Sequence, residues 1–192
     1  MNRGSFGEER SGKKMILYII SHTLLIFWIY VIFGFSAQNG ETSGGLSEKV
    51  CLWILKSINQ AFQFGWGELK LAELAVFWGY PVRKLAHMTE FGILALLFYG
   101  ILGFYPKITG TMQTYISQSG FRADTSKKQR RYFLAFFLTV IYAALDEFHQ
   151  LFIPDRSGNV FDVCVDATGA FLALLFVWSV STLYYRFKDD TR

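Results

Sequence analysis

Two cysteines in 192 residues are too few for a disulfide framework, and neither Cys51 nor Cys164 sits in a CxxC zinc pattern. Charge is scarce as well: Asp, Glu, Lys and Arg make up 18% of the chain, against about 25% in an average globular domain. From Met15 to Phe35 it is missing altogether, with 21 consecutive positions holding none of those four residues. No glycine pattern of the Rossmann or P-loop kind follows a plausible strand, and no internal repeat is visible. These absences exclude a disulfide-stapled secreted domain, a zinc module and a nucleotide-binding α/β fold. An ordinary soluble fold is excluded by the uncharged run, since about 20 apolar residues in a helix cross the roughly 30 Å hydrocarbon core of a bilayer. The run is also longer than the 7–15 residues of a signal-peptide core, so a retained anchor is expected.

What is present is apolar and aromatic: 52% hydrophobic, 18% Phe, Trp and Tyr, with a mean hydropathy of +0.28. That content excludes disorder. The expected fold class is all-α, an integral membrane bundle of four transmembrane helices over about 15–35, 82–104, 131–153 and 160–185. Tails at 1–14 and 186–192 flank it. The connection from Ser36 to Tyr80 opens as a loop, SAQNGETSGG. It then becomes an amphipathic interfacial segment in which Leu46, Val50, Trp53, Ile54, Ile58, Ala61 and Phe62 recur at three- and four-residue steps. A short helical piece over 68–78 precedes Pro81.

The net charge of +4 reads as topology, with no nucleic-acid partner implied, because the basic residues flank apolar segments. Thirteen of the nineteen Lys and Arg fall in the N-terminal tail, the 105–131 loop and the C-terminus. Positive-inside bias therefore places both termini in the cytoplasm of a multi-pass cell-membrane protein. With that orientation, the start of span two, the end of span three and the start of span four all lie near the outer face, and each carries polar residues.

Those polar residues share helix faces. Arg83, His87 and Glu90 follow steps of four and three, with Lys84 about 100° round the helix; Asp146 and Gln150 are four apart, with Glu147 and His149 beside them; Asp162, Asp166 and Gly169 follow the same rule. Gly169, Ala170 and Ala173 permit close helix contact. Ionisable side chains inside a membrane are costly and face a bundle interior or cavity. A shared pocket follows, with Arg83, Lys84 and Arg156 as cations and Glu90, Asp146, Glu147, Asp162 and Asp166 as anions.

The segments themselves resemble a known family. Arg83-Lys84-Leu-Ala-His87-Met-Thr-Glu90-Phe91 is similar to the RKxxHxxEY/F element of VanZ-like proteins. Asp146-Glu147-Phe-His-Gln150-Leu-Phe152-Ile-Pro154-Asp-Arg156 resembles their DExxQxFxPxR element, and Asp162-Val163-Cys-Val-Asp166-Ala-Thr-Gly169 their DVxxN/DxxG element. Ser36-Ala37-Gln38 fits their S-x-Q, and the likeness covers about 15–185. The resemblance implies a small multi-helix membrane protein linked to resistance to teicoplanin-type glycopeptides. Two departures stand out: Asp166 occupies a position where Asn is frequent, and the 36–80 connection is long.

Three roles remain open for the pocket. It binds or processes a polar envelope ligand, such as a lipid-linked cell-wall intermediate or the glycopeptide's lipid tail, beside membrane lipid. Arg83, Lys84, Gln150, Arg156 and Asp166 are then the ligand-binding residues, with cations on phosphate or carboxylate. Alternatively it is catalytic, with His87 as general base, Glu90 or Asp162 orienting it, the cations stabilising a developing oxyanion or phosphoryl charge, and Asp146 and Glu147 ordering those cations. In that case no strong nucleophile is evident beyond Ser157. Or the charges are a clamp that only closes the bundle, although buried pairs are poor stabilisers. No cofactor is expected. Glu90, Asp146, Asp162 and His87 are chemically reasonable metal ligands, but no HExxH-like spacing supports a metal. A Cys51–Cys164 pairing is open, and His22 is expected to be a buried hydrogen-bonding residue.

Overall fold

A computed structural model describes residues 3–105 and 123–190. The basic loop beyond residue 105, with Lys107 and Arg122, lies outside the described residues. Five helices and no strand are found among the described residues: α1 (Arg3–Ser36), α2 (Gly40–Phe62), α3 (Glu68–Leu102), α4 (Ala123–Gln150) and α5 (Val160–Asp190). Four of them are long and apolar enough to cross a membrane, over Lys14–Ser36, Glu68–Leu102, Lys128–Gln150 and Val160–Lys188. The protein is an all-α, multi-pass membrane protein, and α2 is the additional, amphipathic helix.

Two connections differ from the sequence expectation. The stretch after Ser36 is not an extended loop, because Asn39 caps α2: its side chain accepts the Thr42 amide at 2.8 Å, and the helix starts at Gly40. Pro81 does not separate two helices either. It sits inside one 35-residue helix, about 52 Å long at 1.5 Å per residue. Proline deprives the carbonyl four residues back of its helical donor, and in membrane helices neighbouring groups make this tolerable. Helix α3 therefore runs well past the polar residues. There it pairs with α2 in a hairpin whose turn is held by Asn59, which bonds both the amide and the carbonyl of Trp66 at 3.0 Å.

Helix α3 packs against all four others. Its contact with α5 is close because both are cut back to glycine. A Cβ on Gly169 would overlap the Met88 carbonyl, and one on Gly92 would lie 3.2 Å from the Gly169 carbonyl. Around this contact lie two buried clusters, one of Ala95, Leu102, Ala135, Ala170 and Leu174, the other of Ile32, Phe91, Leu94 and Ala143. Helix α1 is tied on by Trp28, which donates to the Glu90 carbonyl at 2.9 Å, and by Tyr142, which donates to the Ile29 carbonyl at 3.2 Å. Most large apolar side chains of α1, Phe27 and Tyr30 among them, face outward, as lipid contact requires.

One end of the bundle is aromatic. Tyr99 and Tyr132 stack with centroids 4.5 Å apart, while Arg131 lies over Tyr99 and donates to its carbonyl at 2.6 Å. The hydroxyls of Tyr18 and Tyr105 are 2.6 Å apart, and His22 bonds Tyr105 at 3.1 Å. His22 is thus a hydrogen-bonding residue, but only half-buried. Both cysteines are free, Cys51 buried and Cys164 exposed; burial pushes the Cys51 thiol pKa up.

Candidate functional site

The opposite end is polar, and a nine-residue connection builds it. Helix α4 stops at Gln150 and not at residue 153, because Pro154 disfavours helical geometry in the residue before it. A tight turn follows, with Arg156 donating its amide to the Ile153 carbonyl at 3.2 Å and Asp155 in the left-handed region at φ 57°. Asn159 then caps α5, its side chain accepting from the Phe161 amide at 3.0 Å, while its own amide donates to Glu147 at 2.8 Å. Two glycines allow this fold-back. A Cβ on Gly158 would strike the Glu147 carbonyl, and one on Gly40 the Asp155 carbonyl. Gly40 donates its amide to the Pro154 carbonyl at 3.2 Å, fastening the start of α2 to the turn.

Arg156 is the hub. Its Nε donates to the Gln38 carbonyl at 3.0 Å, Nη2 to the Phe35 carbonyl at 3.1 Å, and Nη1 to Gln150 Oε1 at 3.2 Å. Gln150 passes the chain on, its Nε2 donating to Asp146 at 2.9 Å. Burial, then repulsion from Arg83, pull the Arg156 pKa below its usual value, and Asp146, Glu147 and Glu90 oppose that pull. The S-x-Q segment thus meets the turn through the backbone oxygen of Gln38, and the residue before it, Phe35, through its own.

The helix faces bring the remaining residues together. Lys84 on α3 forms an ion pair with Asp162 on α5 at 2.5 Å. His87 Nδ1 and Glu90 Oε2, one turn apart, are 4.0 Å from each other, close but not hydrogen-bonded. Arg83 lies over the Tyr80 ring, 5.5 Å from its centroid. Asp166 is 1% exposed, and its Oδ2 has no hydrogen-bond partner among the described residues, a costly arrangement unless something in the site meets it. Asp146, Glu147 and Gln150 are buried too.

These side chains surround a cavity of about 150 Å³, lined by Arg83, Lys84, His87, Glu147, Gln150, Arg156, Asp162 and Asp166. Two of the ten candidates do not line it. Asp146 is buried and bonded to Gln150, and Glu90 lines a neighbouring chamber. The cavity also has walls that sequence reasoning missed: Tyr80, Asp155 and Asn159. Tyr80 follows from α3 continuing through Pro81. Asn159 carried a readable signal, an Asn just ahead of an apolar helix. Ser157 lines the cavity, but no bond to a general base marks it as a nucleophile. Among the described residues no group of three or more His, Cys, Asp and Glu is arranged to hold a metal ion. Chemically, the arrangement offers cations for one anionic group, carboxylates for hydroxyls or amines, and an imidazole beside a carboxylate.

Comparison with curated proteins gives no match, and comparison with solved structures gives none. A family model described as VanZ/LLP1 does match, over residues 22–182. That interval runs from within α1 to within α5, with every polar residue of the cavity inside it, and the chain belongs to the VanZ/LLP1 family.

Proposed function

We propose that this protein binds a polar or lipid-linked envelope ligand in the cavity between α3, α5 and the 151–159 turn, and that this activity underlies resistance to teicoplanin-type glycopeptides. The distribution of Lys and Arg supports an orientation with both termini cytoplasmic and the cavity facing outward. The observation that carries the reading is Asp166, a carboxylate buried to 1% exposure with a free oxygen in the wall of a cavity. A helix clamp has no use for an unpaired buried acid, whereas a binding site does. Arg83, Lys84 and Arg156 hold an anionic group by charge-assisted bonds, and Glu147, Gln150 and Asp166 accept from or donate to the rest of the headgroup.

Replacing His87 by Ala and Glu147 by Gln tests it. Both variants are expected to reach the membrane and unfold near the wild-type temperature while losing resistance in cells. Variants that drop out of the membrane fraction instead would return the charges to a structural clamp.

The His87–Glu90 pair favours a second reading, in which the same pocket performs acid–base chemistry on a lipid-linked substrate. Incubating purified protein with lipid-linked wall precursors and weighing the products by mass spectrometry separates the two. An unaltered precursor means binding alone, and a changed mass means catalysis.

A further inference from the structure

The polar cavity has a neighbour of different character. A second chamber of about 160 Å³ lies between the start of α2 and the middle of α3. Leu46 and Val50 from α2, Val82 and Ala86 from α3, and Phe35 at the end of α1 give it apolar walls. Phe35, Leu46 and Val50 are exposed, so this chamber is open to its surroundings along its apolar wall. The two chambers share three lining residues: Arg83, His87 and Arg156.

The shared wall holds the cation with capacity to spare. Lys84 is already paired with Asp162, and Arg156 is spread over two backbone carbonyls and Gln150. Arg83 rests on the Tyr80 ring, and no carboxylate among the described residues lies within ion-pairing distance of it. Six carboxylates (Glu90, Asp146, Glu147, Asp155, Asp162 and Asp166) against three cations make this end hostile to a ligand carrying several negative charges. One anionic group is what the shared wall accommodates.

We infer that the ligand is a lipid with a single phosphate and a net negative headgroup. The phosphate sits on Arg83 where the two chambers meet, the remainder of the headgroup fills the polar cavity, and the hydrocarbon chain leaves along the Val50–Val82–Ala86 wall between α2 and α3. This rests on the ligand-binding reading above and adds the kind of molecule and the direction in which it lies. The charge requirement and the apolar exit are separate features, so each has its own variant.

The test is native mass spectrometry of the purified full chain in neutral detergent, with four probes: dioleoyl phosphatidic acid, a long-chain isoprenyl monophosphate, dioleoyl phosphatidylcholine and dibutyryl phosphatidic acid. The wild type is expected to retain at least one long-chain anionic phosphate lipid about tenfold better than phosphatidylcholine, whose choline cancels the charge of its phosphate, a preference of the size one net charge supplies. Whichever of the glycerolipid and the isoprenyl phosphate it prefers identifies the source of the phosphate, and either result supports the inference. Arg83→Gln is expected to erase the preference. Ala86→Phe, and independently Val50→Phe from the facing wall, are expected to lower dioleoyl phosphatidic acid to the level of the dibutyryl form and to leave the dibutyryl form unchanged. Both sites are exposed, and unchanged elution and unfolding temperature would show that both variants fold. Equal retention of phosphatidylcholine and the phosphate lipids by the wild type, or a long-chain preference surviving both plugs, overturns the inference. The His87→Ala and Glu147→Gln resistance phenotypes are independent of that result, so the pocket reading stands or falls separately.

Discussion

The two ends of this bundle are built on the same helices and hold together in opposite ways. At the aromatic end, rings and one arginine bridge α3 to α4: Tyr99 on Tyr132, Arg131 on Tyr99. Its buried neighbours are Ala, Leu and other apolar groups, and no cluster of acids lies there among the described residues. The polar end buries Asp146, Glu147, Gln150 and Asp166, ties them with directional bonds around Arg156, and still leaves an oxygen of Asp166 unmet. The first end is held mainly by packing, although Arg131 Nε and Tyr132 Oη are also buried there without a hydrogen-bond partner among the described residues. The second holds more ionisable groups than closure needs, and that excess is the ground for the ligand proposed above.

The largest effect should come from the contact that keeps both ends in register. Gly169→Leu drives a side chain into the Met88 backbone and should cost about 3 kcal/mol or more, seen as loss of monodisperse protein on size exclusion. A stable Gly169→Leu protein would mean that α3 and α5 are not packed as described. Next, Arg156→Ala removes three bonds at once. It should destabilise by about 2–3 kcal/mol and also abolish ligand retention, the double signature of the polar end. Tyr132→Ala should cost about 1–2 kcal/mol in detergent unfolding and leave ligand retention unchanged. A loss of binding there would break the contrast between the ends. Smallest of all, Tyr105→Phe removes the hydroxyl shared with Tyr18 and His22 and should shift the unfolding temperature by about 2 °C or less.

How far these features were legible depends on whether side chains or backbone carry them. The four-residue steps Arg83/His87, Asp146/Gln150 and Asp162/Asp166 are side-chain patterns on helices, so a shared face can be read from spacing alone. The uncharged run of α1 and the small residues after Asp166 are equally plain. The passage of α3 through Pro81 was not legible, because the rule that proline ends a helix is learned in water, where no neighbouring helix compensates. Nor was the early start of α2, where a single Asn39 side chain outweighs the glycines and serines around it. The seat of Arg156 was hidden for another reason. Two of its three partners are main-chain oxygens of α1 and the residues just after it, which carry no residue-type signature. Asp146 shows the limit of face-counting: it shares the face of Gln150 and accepts a bond from it, yet of the two only Gln150 lines the cavity.

That seat on main-chain oxygens has a consequence for tolerance to change. Since Arg156 grips what every amino acid possesses, changes at positions 35 and 38 leave its seat intact so long as the backbone keeps its course, whereas position 156 has no substitute with the same fork of donors. A saturation scan read by unfolding temperature should therefore find permissive letters on the gripped side and a single permitted letter on the gripping side.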